Sequence, residues 1–136
     1  MHIEEEDRYK VACHLDRRDL RLHGITMDDL INRTPLGYMF IHKAGQLAKE
    51  STGYVWPGCG LTMQMDIFET EVVLYFSERI EDYLYNLQQT AYALDSEQTA
   101  GIEQMIDLIR KQSDEDKARE IIRNFEGNVK AATDIM

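Results

Sequence analysis

The chain has 136 residues, 43% of them hydrophobic, with only two prolines and a formal charge of −10, which fits one folded domain, perhaps with an appendage, and excludes global disorder. That acidity also sets non-specific nucleic-acid binding aside, because phosphates are repelled. Two cysteines exclude a disulfide framework, the acidic start MHIEEEDRY lacks the charge order of a signal peptide, and no apolar run nears the roughly 18–20 residues of a membrane span. A cytoplasmic protein is expected.

After the acidic lead of Glu4, Glu5, Glu6 and Asp7, the stretch Tyr9–Leu15 alternates as a strand does. Tyr9, Val11, Cys13 and Leu15 share one face, and Lys10, Ala12 and His14 the other. The next stretch, from Asp16 to Gly24, reads as a charged crossover. Thr26 with Asp29 then forms a capping-box pair that opens a short helix to about Asn32, with Met27, Leu30 and Ile31 inward. Thr34 and Pro35 start a second helix, where a proline at the first position loses no hydrogen bond. Leu36, Met39, Phe40, Ala44, Leu47 and Ala48 predict its apolar face, and Gly53 its end. Leu61–Ile67 and Val72–Phe76 alternate again across the polar link Glu69-Thr70-Glu71, which predicts a hairpin. The first part therefore reads β-α-α-β-β, a small antiparallel-containing sheet covered by helices in an α+β fold.

The period turns helical beyond Ser77. Ile80, Tyr83, Leu84, Leu87 and Ala91 predict one helix, and Ile102, Met105, Ile106 and Ile109 a second, with Asp95 and Gln98 as its cap. A cap from Ser113 and Asp116 opens a third. Along it Ala118, Ile122, Phe125, Val129, Ala132 and Met136 step by four and three, with a break expected at Gly127. The division expected is an α+β domain over residues 1–90 and a helical hairpin over 91–136. The stripe of the third helix must pack on the Ile102–Ile109 helix, on the sheet domain or on a second copy. The short connection makes the intramolecular pair the default, and the extra apolar residues Met105, Leu108, Ile121 and Ile135 favour a homodimer through Ile122, Phe125 and Val129.

Nothing in the sequence assembles a catalytic constellation. Cys13 and His14 are neighbours on a strand and point to opposite faces, and His23 and His42 lack partners at ligand spacing, so no metal and no cofactor is expected. Cys59 sits between two glycines without a base to activate it. The paired Asp28 and Asp29 are explained by the helix N-terminus. Two surface features remain as candidates for protein contact. Arg17, Arg18 and Arg21 form a basic cluster that either solvates a loop, pairing with Asp16 and Asp19, or meets a partner. Tyr54 and Trp56 flank a Pro-Gly turn, either as a lid on the core or as interface anchors.

Asp19, Leu20, Gly24, Ile25 and Leu30 in DLRLHGITMDDL, followed by a helix and by GLTMQMDIFETEVVLYFSE, resemble the N-terminal domain of MecA-type adaptor proteins over roughly residues 1 to 80. The resemblance implies a non-enzymatic adaptor whose N-terminal domain captures a client, typically a competence regulator. In that family a separate C-terminal α/β domain engages a Clp unfoldase of the AAA+ class and promotes client degradation. This chain departs from that plan after residue 80, where helical segments replace strands, so no Clp-contacting residue is carried over. The expected function is an adaptor that binds a client and modulates its activity or Clp-dependent turnover. The alternative is a small self-associating module that dimerises through its C-terminal helices without protease delivery. An enzyme using Cys59 is the third reading.

Overall fold

The computed structural model describes residues 1–92 and 96–135, and the side chains of 92–98 and 128–135 lie outside that description, as does the Asp95–Gln98 cap. Two compact units divide the chain. The first comprises Met1–Trp56 and Met63–Ser77; the second comprises Pro57–Thr62 and the residues from Glu78 onward.

The first unit is an α+β layer built on an antiparallel sheet. Its strands β1 (His2–Asp7), β2 (Lys10–Asp16), β3 (Thr62–Ile67) and β4 (Glu71–Ser77) lie in the order β1-β2-β4-β3. Alternation puts Val11 opposite Phe76, Cys13 opposite Leu74 and Leu15 opposite Val72 on one face. These six residues are all at most 2% exposed, and each large aliphatic among them contributes about 1.5–3 kcal/mol of burial. Helices α1 (Arg17–Leu22), α2 (Met27–Ile31) and α3 (Pro35–Glu50) complete this unit. Leu20, Leu30, Phe40, Ala44 and Ala48 join the same core.

Several expectations need correction. The acidic lead is a strand, β1, paired from His2 opposite His14 to Asp7 opposite Lys10. It is an edge strand whose charges face water, with Ile3 alone packing on the core, so it carries no apolar alternation to read. Tyr9 lies outside β2, in the turn between the strands, with a left-handed φ of 67°. The crossover is a helix, α1, and not a loop. Ile31 is exposed, whereas Leu30 is fully buried and Met27 is partly so.

The face of α3 is rotated by about one residue from its expected position. Gly37, Phe40, Ile41, Ala44, Gly45 and Ala48 are buried, while Leu36, Met39 and Leu47 are exposed. The glycines decide this. A Cβ on Gly45 would stand 2.9 Å from Cε1 of Phe76, and one on Gly37 would stand 2.0 Å from the carbonyl oxygen of Asp29. Close approach through small residues outweighs the hydropathy of Leu36 and Met39, which a periodicity count weights more.

The second unit packs α4 (Ile80–Tyr92), α5 (Ser96–Arg110) and α6 (Glu115–Ile135). Its core joins Tyr83, Leu84 and Leu87 to Met105, Ile106 and Ile109, and to Ala118 and Ile122, as the helical stripes predict. The cap of α6 comes from Asp114, whose carboxylate accepts the Asp116 N–H at 2.9 Å, and not from Ser113. The helix also runs through Gly127 without the expected break. Among the described residues no strand follows Ser77.

A buried polar latch ties the turn at 57–60 to this unit. Glu78, 1% exposed, accepts the N–H groups of Gly58 and Cys59 through one carboxylate oxygen. Arg119, 5% exposed, donates to the Glu78 carbonyl at 2.9 Å and to the carboxylate of Glu115. Glu126 accepts from the N–H of Gly60, and Arg123 donates to the Pro57 carbonyl. The bonds to the Cys59 N–H and the Glu78 carbonyl satisfy backbone groups that burial would otherwise leave costly.

Candidate protein-binding site

Local sequence caps α1. Asp16 accepts the N–H of Asp19 at 2.8 Å, and Asp19 accepts the N–H of Asp16 at 3.1 Å, a reciprocal capping box. Asp19 also accepts from the amino group of Met1 at 2.6 Å. That contact and the Asp16 N–H hold its carboxyl below the ordinary aspartate value. Leu20, 2% exposed, anchors the helix to the core, and Arg17, Arg18 and Arg21 are left on its outer surface.

The two aspartates expected to pair with this cluster are therefore committed to the helix start. Among the described residues none of the three arginine side chains makes an ion pair or a hydrogen bond. The structure also divides the cluster. Arg17 and Arg21, four apart and on one face of α1, line an open depression of about 570 Å³ together with Leu20, Ile25, Thr26, Met27 and Asp28. Arg18 points elsewhere, into a neighbouring depression whose walls include Asp16, Asp19, His14 and Glu71.

The opposite wall of the first depression is equally fixed. Gly24 turns the chain with a φ of 69°. Thr26 and Asp29 then form the capping box expected of them, with the Asp29 N–H donating to the threonine hydroxyl at 3.1 Å. The Asp29 carboxylate accepts the Thr26 N–H at 2.9 Å and the Thr34 hydroxyl at 2.8 Å, so it links the starts of α2 and α3. These bonds, the Thr26 N–H first, lower its pKa from the ordinary 3.8. Its contribution to stability is thus present above that value and lost as pH falls through the lower folded value.

Tyr54 and Trp56 lie apart from this depression, in a ring cluster with Tyr9. Tyr54 stacks on Trp56 at 6.0 Å and meets Tyr9 edge-on at 5.5 Å. The Tyr54 hydroxyl accepts the Tyr9 N–H at 2.9 Å, and the Trp56 indole N–H donates to Thr52 at 2.9 Å. Both polar tips are occupied within the chain, and the rings cover the strained Tyr9 turn. Ile122 is fully buried in the core of the second unit, and Phe125 is half-buried and packs partly against that core. The side chain of Val129 lies outside the described residues.

Among the described residues no three His, Cys, Asp or Glu side chains gather as metal ligands do. His14 stands between carboxylates of Glu4, at 3.3 Å, and Glu71, at 3.7 Å, an arrangement that bridges β1, β2 and β4. Cys13 is fully buried with its sulfur 3.9 Å from the Ala44 carbonyl, and burial pushes its thiol up to about 11. Cys59 is 4% exposed. Both thiols are expected to resist iodoacetamide at pH 8 in the folded chain and to react fully in denaturant, read by mass spectrometry. Rapid labelling of Cys59 in the folded chain would restore it as a candidate nucleophile.

Ile25, Met27 and Asp28, which complete the depression with Arg17 and Arg21, were absent from the sequence-derived contact set. The signal that could have found them is Asp16 three residues before Asp19, a cap that turns a charged run into a helix with two faces. A family model described as negative regulator of genetic competence (MecA) matches residues 1–134, well past the 1–80 of the resemblance read from sequence. No curated protein matches the chain.

Proposed function

Because the chain belongs to the MecA family of negative regulators of genetic competence, we propose that it is a regulatory adaptor: it captures a client through its first unit and modulates the client's activity or its turnover by a Clp unfoldase. The observation that carries this reading is the state of α1. The Arg17 and Arg21 side chains stand exposed on a capped helix without a partner among the described residues. Docking them on another protein therefore breaks no internal ion pair, and charges so placed steer association. An exposed pair within the chain contributes only about 0–1 kcal/mol, so folding has little need of these arginines. The reading requires the cytoplasm, and no helix among the described residues is long and apolar enough to cross a membrane.

The test is made in the source cell. Deleting the gene is expected to raise the frequency of DNA uptake and to lengthen the half-life of the competence regulator, with the intact gene reversing both. Uptake frequency and half-life that stay unchanged on deletion would contradict the adaptor.

A further inference from the structure

An adaptor holds its client at a surface of matching chemistry, and the depression between α1 and α2 has a definite one. We propose that it docks an acidic, amphipathic segment of another protein, with carboxylates on Arg17 and Arg21 and an apolar side chain over Met27. This rests on the adaptor reading and names the contact of its client.

Three features of the depression select that occupant. The first is charge. On a chain of net charge −10, Arg17 and Arg21 project from one face of one helix and have no partner among the described residues. A guanidinium presents a planar fork matched to a carboxylate, so two of them one turn apart fit two acidic residues of an extended or helical segment. The second is the floor. Leu20 and Ile25 are nearly buried, but Met27 is partly open, and its unbranched thioether adapts to different apolar partners. The third is the far wall, where the exposed carboxylate of Asp28 opposes any long run of negative charge. A phosphate backbone would meet Asp28 and the acidity of the whole chain, whereas a short segment places its carboxylates only where the arginines stand.

Arg18 supplies the internal control. It carries the same charge on the same helix, yet it lines the other depression with Asp16, Asp19 and Glu71. At physiological salt charges are screened over about 8 Å, so an effect of net charge alone treats the three arginines alike, while a seated segment does not.

The experiment is fluorescence anisotropy on the full chain with a labelled peptide of alternating glutamate and leucine at physiological salt. Binding is expected, weakened at least about tenfold by Arg17→Glu with Arg21→Glu, and less than about threefold by Arg18→Glu. The neutral pair Arg17→Gln with Arg21→Gln repeats the loss without adding like charge. Replacing leucine by serine in the peptide is expected to weaken binding, and a lysine–leucine peptide is expected not to bind. No binding of the glutamate–leucine peptide overturns the proposal, as does an equal loss with Arg18→Glu. Equal affinity for an oligodeoxythymidine overturns it too, in favour of a general polyanion surface. Peptide binding that depends on Arg17 and Arg21, in a chain whose deletion leaves competence unchanged, supports the groove and removes the adaptor. The reverse pattern removes the groove alone.

Discussion

Alanine at position 37 is expected to destabilise the first unit by about 3 kcal/mol, although alanine is ordinarily the better helix residue. Gly37 lies in the first turn of α3, directly over the backbone of α2 at Asp29 and Leu30. An added Cβ would stand 2.0 Å from the Asp29 carbonyl oxygen and 2.6 Å from its carbon. These are backbone atoms, so no side chain can swing away, and α2 must move. That carbonyl also accepts the Thr34 N–H, so the shift strains the joint that holds the wall of the depression. Gly127 is the contrast. It is helical in α6 with nothing within 4 Å of a Cβ, and Gly127→Ala is expected to stabilise the second unit by about 0.5–1 kcal/mol. The single tryptophan, Trp56, reports urea unfolding of the first unit, and hydrogen exchange in α6 reports the second. A Gly37→Ala chain as stable as the parent would show that α2 and α3 pack otherwise.

Glu78→Ala is expected to cost the second unit about 3 kcal/mol. The carboxylate accepts two N–H groups, from Gly58 and Cys59. Removing it leaves the buried Cys59 N–H unsatisfied at about 1–3 kcal/mol and also loses the bond to the more exposed Gly58. Glu78→Gln keeps one acceptor oxygen and the volume, so a smaller loss is expected. The local readout is Cys59. Its thiol lies inside the latch, 4% exposed, and it is expected to label faster in Glu78→Ala while Cys13 in the other unit stays protected. Equal protection of Cys59 in parent and variant would show that the turn is held by its remaining contacts with Glu126 and Arg123.

Much of this arrangement was legible in the sequence because its causes are local or periodic. The Thr26–Asp29 and Thr34–Pro35 starts are read directly from residue types, and the structure shows each bond. The stripes of α4 and α5 follow the helical period and enter one core. What escaped reading has one physical character: it depends on partners distant in sequence or on small residues. Strand β1 exists because β2 offers it hydrogen bonds, and its own residues are nearly all charged. The face of α3 turns on Gly37 and Gly45, which hydropathy counts as neutral. Glu78 and Arg119 look like surface charges in the sequence; Glu78 is buried where a turn about 20 residues upstream needs an acceptor, and Arg119 where the Glu78 carbonyl needs a donor. At the candidate site, the arginines were visible but their division was not. Only the geometry of α1 separates Arg17 and Arg21 from Arg18.

The proposed action of this chain is to hold another protein through α1 and α2. Calorimetric titration of the full chain with the purified competence regulator of the same cell tests it most directly. The account predicts saturable binding that survives Arg18→Glu, weakens as salt rises, and is lost when Arg17 and Arg21 are both reversed to glutamate. No heat of binding, or binding untouched by the double reversal, would contradict it.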